Sequence, residues 1–290
     1  NLAESDNDFD YYRILLKVAD QTIAYWFRIT SAAQVRFYDR RGASPKAPGM
    51  TSKLTFRLIP GFHTPDWAKG AVMYQIFTDR FCNGDKTNDV LTNEYHYLGK
   101  NVHQVKNWDR LPDATDDGLE FYGGDLQGVL DKMDYLQELG IEVIYFNPLF
   151  CSPSSHKYDT QDYDHIDPHF GRFVADDGKL LSEDAKDNRD AGRYIRRVTD
   201  LRNLEASDEL FCQVVTEAHR RGMRVILDGV FNHCGSFNKG MDRERIYENA
   251  PGYAKGAYVS KESPYHDYFT FHKKKWPYND SYDGWWDYDT

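Results

Sequence analysis

The sequence predicts an α/β protein, a parallel sheet or barrel preceded by part of a β-sandwich. Three observations carry the prediction. Apolar runs at residues 71–77, 141–146 and 225–227 read as strands buried on both faces, as in a parallel sheet. Two stretches between them have helical spacing of their apolar residues. Residues 1–60 break into short β-branched and aromatic runs, the pattern of a sandwich.

In residues 1–60 the runs at 11–19, 22–29, 35–38 and 54–59 are separated by Ala19-Asp20-Gln21, Arg41-Gly42 and a Pro45/Pro48/Gly49 loop. Pro60-Gly-Phe-His-Thr-Pro65 reads as a linker. Residues 71–77 then form a strand, followed by a long polar loop. A helix is predicted over 125–139, with Leu126, Val129, Leu130, Met133, Leu136 and Leu139 on one face. Asp125 is its N-cap and Gly140 its stop. The strand at 141–146 leads into a polar connection that runs to about residue 205. A second helix over 207–221 aligns Leu210, Val214, Val215 and Ala218, ends in basic residues and stops at Gly222. The third strand ends at Asp228. The order β, loop, α, β, loop, α, β builds a parallel sheet through right-handed crossovers. Residues 235–290 have no clear period and read as a loop-rich insertion.

The chain has 36 basic and 46 acidic residues among 290, a net charge of −10. That balance argues against a nucleic-acid or anionic-membrane partner, both of which need basic patches. The one basic run, Lys273-Lys274-Lys275, reads as a solvated loop. Aromatic content is 15%, including 6 Trp and 21 Tyr. Amphipathic rings suit ligands with alternating apolar and hydroxylated faces, such as sugars, although most will serve packing. Cys82, Cys151, Cys212 and Cys234 match no zinc spacing and read as apolar fillers or free thiols. No apolar run is long enough to span a bilayer. The chain starts at Asn1, so its first residues read as the middle of something longer.

The chemistry gathers at three places. Arg224-Val-Ile-Leu-Asp228-Gly-Val-Phe-Asn232-His233 runs from a strand into an aspartate, an amide and an imidazole. The carboxyl edge of a parallel sheet is where such folds bind ligands. Past the second strand, Asn147-Pro148 leads to His156-Lys157-Tyr158-Asp159-Thr160. A ring such as Tyr158 can stack on a sugar while His156 and Asp159 take hydroxyls. Third, Asn83-Gly-Asp85-Lys-Thr-Asn88-Asp89 and Gly123-Gly-Asp125 bring hard oxygen donors together at glycine-permitted turns, as calcium requires. The same residues fit a polar turn ending in an N-cap aspartate, and the residues alone leave both readings open.

Four ordered segments resemble glycoside hydrolase family 13, the α-amylase family, and within it the neopullulanase and cyclomaltodextrinase branch. They are Ala71-Val-Met-Tyr-Gln-Ile-Phe-Thr-Asp-Arg-Phe-Cys-Asn-Gly-Asp85, Phe121-Tyr-Gly-Gly-Asp-Leu-Gln-Gly128, Ile144-Tyr-Phe-Asn-Pro148 with His156-Lys-Tyr-Asp-Thr160, and Asp228-Gly-Val-Phe-Asn-His233. The resemblance covers residues 66–290. It implies the first three strands of a (β/α)8 barrel in 61–234, an inserted domain B in 235–290, and the end of an N-terminal, carbohydrate-binding-like β-sandwich in 1–60. By the same resemblance Asp228 and His233 line the subsite of the sugar whose bond breaks, and Tyr158 stacks under it. Calcium is implied at Asn83, Asp85, Asn88, Asp89, Gly123 through its carbonyl, and Asp125. Asn232 matches a calcium ligand only in other branches.

The implied reaction is retaining hydrolysis of α-glucosidic bonds in starch-like glucans. It needs two carboxyl groups roughly 5–5.5 Å apart, a nucleophile and a general acid. In the family both lie beyond the insertion, and the sequence ends at Thr290 before either. The expectation is therefore an inactive N-terminal piece of a larger hydrolase. Its partner is an α-glucan oligosaccharide or polysaccharide, and a homodimer of the full-length protein is a further expectation. Two other readings compete: a transglycosylase on the same framework, and a non-catalytic carbohydrate-binding protein on a shortened barrel.

Overall fold

A computed structural model of the chain describes residues 2–17, 20–31, 34–49, 53–115, 118–273 and 275–277. It divides into two compact units, Asn1–Gly70 and Ala71–Thr290. The predicted linker at 60–65 thus lies inside the first unit.

The strands described in the first unit all pair antiparallel. Strands β1 (Leu2–Ser5) and β2 (Asp10–Tyr12) pair, β3 (Ile23–Tyr25) pairs with β7 (Phe56–Leu58), and β4 (Phe27–Ser31), β5 (Gln34–Asp39) and β6 (Gly42–Ser44) form a three-stranded sheet. The predicted strand at 11–19 is shorter than expected; it ends at Tyr12, and Val18 and Ala19 lie outside the described residues. The predicted strand at 22–29 is two strands broken at Trp26. Tyr25, Phe27, Tyr38 and Phe56 pack ring to ring, with Tyr38 stacked on Phe56 at 6.0 Å.

The second unit is built on β8 (Met73–Ile76), β13 (Val143–Phe146) and β16 (Arg224–Leu227), parallel and in the order β16-β13-β8. Ile76, Phe146 and Leu227 stand in one register row, so all three strands end together. Of these three strands, only β13 has a neighbour on both sides among the described residues, and Val143, Ile144 and Phe146 are buried. The expectation of full burial does not hold for the outer strands. Val72 and Met73 are exposed, and Val225, Ile226 and Leu227 are half-buried, because each outer strand has a partner on one side only. No closed barrel forms among the described residues.

The smaller strands sit in the connections. β9 (His96–Tyr97) pairs with β10 (Lys100–Asn101), and β11 (His103–Gln104) pairs with β12 (Glu120–Phe121). β14 (Phe150–Cys151) and β15 (Asp162–Ile166) form an antiparallel hairpin after β13.

The first predicted helix is two short ones, α1 (Leu126–Asp131) and α2 (Met133–Glu138), broken at Lys132, whose φ of −103° is not helical. The Asp125 cap is as expected, accepting a hydrogen bond from Gly128 N at 2.6 Å. Helix α4 (Leu201–Arg220) starts six residues before the predicted 207, under an Asp200 cap. Helix α3 (Gly192–Thr199) falls inside the predicted connection. Its charged residues hide the pattern, because one of its buried residues is Arg197.

Leu126, Val129, Met133 and Leu136 close over Ile76, Ile144 and Phe146, with Leu210, Val214 and Ala218 in the same cluster. Each such side chain contributes roughly 1.5–3 kcal/mol of apolar burial. A second cluster joins Tyr95, Phe121, Tyr194 and Val198 to Phe237, Ile246 and Tyr247. The segment after β16 therefore shares a core with the loops after β8 and β15. The last part of the predicted insertion, 278–290, and Lys274 lie outside the described residues. All four cysteines are free thiols. No helix among the described residues is long and apolar enough to cross a membrane.

Candidate functional site

The common ending of the three strands sets the site. Asp228 N donates to Phe146 O at 3.1 Å and Asn147 N to Ile76 O at 3.0 Å, so the first residue past β16 and the first past β13 project from one edge. Asn147 Oδ1 accepts from Gln75 Nε2 at 2.6 Å. Asp228 Oδ2 accepts from two phenols, Tyr145 OH at 2.9 Å and Tyr158 OH at 3.1 Å. Tyr158 and Asp228, 70 positions apart, are thus brought together as expected.

Tyr145 is a site residue the sequence reading missed. Its signal was its place in β13, in the register row of Gln75 and Ile226. The Asp228 carboxylate holds the Tyr145 phenol above its ordinary value. Burial first, then the same carboxylate, push Tyr158 up to about 12. Both phenols keep their protons and donate at neutral pH.

Tyr158 is carried by the turn at 152–160. His156 Nδ1 accepts from Tyr158 N at 3.1 Å, which leaves a neutral ring its proton on Nε2. The two rings lie 5.9 Å apart at 34°. Asp159 points inward: Oδ1 accepts from Ser152 Oγ at 2.5 Å and from Ser154 Oγ, and Oδ2 is buried without a hydrogen-bond partner. It holds the turn closed where a direct sugar contact was expected.

His233 lies five residues beyond Asp228 on the same segment. Tyr163 OH sits 2.7 Å from Val230 O and 2.5 Å from His233 O, pinning that segment from β15. His233 Nδ1 is 3.0 Å from the exposed Asn232 amide. Phe231, largely exposed, lies against Tyr163 with centroids 6.3 Å apart.

The six residues expected to bind calcium lie around one turn. A Cβ on Gly123, whose φ is +81°, would sit 2.3 Å from Asp89 Oδ1 and 2.6 Å from Asn83 Nδ2, so this backbone closes against both side chains. Asn83 Nδ2 donates to Asp89 Oδ1 at 2.7 Å. Asn83 Oδ1 and Asn88 Oδ1 are buried without partners. Unsatisfied oxygens beside a buried carboxylate fit a hard cation. Burial raises the carboxyls of both Asp89 and Asp125. Asp125 is already surrounded by donors from Gly84, Asp85, Gly128 and Asn88, and Asp85 Oδ1 accepts from Thr87 N and Oγ1. The donor set that fits is Asn83, Asn88, Asp89 and the Gly123 backbone, with Asp125 as a cap. Among the described residues no three His, Cys, Asp or Glu cluster as a metal centre, so a cation here would draw on amide and carbonyl oxygens.

Beneath the turn runs a buried chain of ions. Lys157 Nζ donates to Asp167 Oδ2 at 2.6 Å; His169 bridges Asp167 Oδ1 at 2.8 Å and Glu94 Oε1 at 2.7 Å; Arg197 Nη1 meets Glu94 Oε2 at 2.7 Å. Arg197 Nε continues to Asp176 Oδ1 at 2.7 Å. Lys157, Asp167, His169, Glu94 and Arg197 are each at most 4% exposed. Both His169 nitrogens face carboxylate oxygens, so both must donate and the ring is an imidazolium. Burial opposes that charge, but Glu94 and Asp167 outweigh it and raise His169. Because the folded value is raised, its stabilisation is complete below about pH 6.5 and is lost as pH rises through the folded value. Thermal melts of the full-length protein against its His169→Gln variant check this; the wild-type advantage should shrink as the medium becomes alkaline, and a constant or growing advantage contradicts it.

Known proteins share this arrangement of sequence. The family profile described as "Alpha amylase, catalytic domain" matches residues 75–201 and 189–290. The chain is 35% identical over 311 residues to an amylopullulanase of Thermoanaerobacter thermohydrosulfuricus, covering 98% of this chain and 18% of the relative. It is 37% identical over 236 residues to neopullulanase 2 of Thermoactinomyces vulgaris, covering 80% of this chain and 32% of the relative. The structure of the type III pullulan hydrolase from Thermococcus kodakarensis aligns with a TM-score of 0.55 and 29% identity, over 92% of this chain and 38% of that one. The chain thus spans between 18% and 38% of the length of these relatives. With its profile running over most of the second unit, on the segments that carry Tyr158 and Asp228, the chain belongs to the α-amylase family, glycoside hydrolase family 13.

Proposed function

We propose that the full-length protein containing this chain is a retaining hydrolase of α-glucosidic bonds in maltodextrin, pullulan or cyclodextrin, and that this chain supplies its sugar-gripping half. The observation that carries the reading is the Tyr158–Asp228 hydrogen bond at the common end of three parallel strands. β8, β13 and β16 are then the first three strands of a (β/α)8 barrel. Residues 1–60 belong to an N-terminal β-sandwich and 235–290 to an inserted domain B.

In this reading the Tyr158 ring lies under the apolar face of one glucose unit. Asp228 has both phenols on Oδ2, which leaves Oδ1 for a sugar hydroxyl. His233 supplies a second polar contact, and His156 flanks Tyr158. These residues bind and orient the sugar, and none of them serves as the nucleophile or the general acid. Incubating the full-length protein with maltohexaose, pullulan and β-cyclodextrin tests the reading. Release of reducing sugar that keeps the α-anomeric configuration supports it. Tight sugar binding without release supports a carbohydrate-binding module instead.

Calcium belongs to the same proposal. Asn83, Asn88, Asp89 and the Gly123 carbonyl would hold it, with Asp125 and Asp85 shaping the turn, and the bound ion would neutralise Asp89 and lock the loop after β8. Chelation should lower the melting temperature, and added calcium should restore it in the wild type but not in Asp89→Ala. An Asp89→Ala variant that responds to chelator like the wild type rules out this loop as the site.

A further inference from the structure

We propose that Lys157 is a positioning residue for sugar binding, and that the buried ion chain behind it fixes the presentation of Tyr158 to Asp228; the proposal rests on the sugar-site reading above. Three observations carry it. First, Lys157 has a φ of +62°, a left-handed conformation that costs a non-glycine residue about 1 kcal/mol and persists only where the surroundings impose it. Tyr158 is the next residue, so the direction in which its phenol leaves the turn follows from that conformation.

Second, the Lys157 side chain folds back under its own turn. Nζ donates to Ser152 O at 2.7 Å and to Asp167 Oδ2 at 2.6 Å, and it lies over the Phe170 ring at 4.9 Å from the centroid. Its own amide donates to Ser154 Oγ at 3.0 Å. One side chain therefore ties the start of the turn to the hairpin end at Asp167.

Third, its counter-ion is itself anchored. Asp167 is held by His169, His169 by Glu94, and Glu94 by Arg197 from helix α3, with alternating charge at every step. Burial raises the Asp167 carboxyl, but Lys157 and His169 outweigh it and keep it well below the usual carboxylate range. A solvated lysine would slide among acceptors. Here the ammonium has one position, so the turn does too, and a phenol held within hydrogen-bond distance of Asp228 is pre-ordered before sugar arrives.

The test is hydrolysis of maltohexaose by the full-length protein, read as kcat and KM separately, at temperatures where each variant remains folded. Lys157→Met should lower kcat/KM about tenfold or more, because a small misplacement of a sugar-gripping group is costly. Lys157→Arg should recover part of it. In a Tyr158→Ala background, Lys157→Met should add less than about twofold, since the group it positions is gone. The same loss in both backgrounds, or an unchanged kcat/KM with only a lower melting temperature, would overturn the proposal. If Lys157→Met does not fold, Asp167→Asn, which keeps an acceptor for Nζ and removes its charge, takes its place in the same cycle with the same expectation. Wild-type rates in both Tyr158→Ala and Asp228→Ala would reject the sugar site itself, and the positioning role with it.

Discussion

Replacing Asp228 by Ala in the full-length protein should lower kcat/KM on maltohexaose by about two orders of magnitude or more. The magnitude follows from what the carboxylate does at once. It accepts both the Tyr145 and Tyr158 phenols on one oxygen, and in the proposed function the other takes a sugar hydroxyl. Removing it takes away the hydrogen bond from the Tyr158 phenol to the first residue past β16 and, in the proposed function, a charged acceptor for a sugar hydroxyl. Charge-assisted hydrogen bonds are roughly twice as strong as neutral ones, so the loss should exceed that of either phenol alone. Tyr145→Phe, which leaves Tyr158 and Asp228 paired, is expected to cost much less. Rates within a few-fold of wild type for Asp228→Ala would remove it from the site.

Replacing Glu94 by Ala should destabilise the fold by about 3–5 kcal/mol, the cost of breaking a buried ion pair on one side. Glu94 is fully buried and bonds to two cations, His169 at 2.7 Å and Arg197 at 2.7 Å, so its removal leaves both facing a cavity. Its Oε2 also accepts from Leu91 N at 2.8 Å. Denaturant unfolding of the full-length protein gives the difference; a change below about 1 kcal/mol would show that the chain of ions is replaceable. The energetics also predict an asymmetry. Exchanging the ions together for apolar residues of similar volume should cost less than removing Glu94 alone, because no uncompensated charge remains.

What could be read in advance depended on how local the cause is. The helix cap at Asp125 was legible because capping needs only the residue and the amide three positions on. The three parallel strands were legible as apolar runs, but not their exposure. Burial of Val225 or Met73 depends on whether another strand lies beside it, which a run of hydrophobic residues does not state. Helix α3 was missed because Arg197 occupies a position on its buried face. A buried arginine looks like a solvated one until Glu94 and Asp176, 103 and 21 positions away, are seen to neutralise it.

The sequence alone determined the order of the three parallel strands and of the helical segments at 126–138 and 201–220, the cap, the strand ends that bear Asp228 and Asn147, and the family, since all of these rest on residues within a few positions of one another. Only the tertiary structure decided that Tyr145 joins Tyr158 on one carboxylate oxygen, that Asp159 turns inward, and that Lys157 is buried and left-handed. Those outcomes depend on which charges meet after the chain has folded, and a charge pays its desolvation cost only where a distant partner is fixed opposite it.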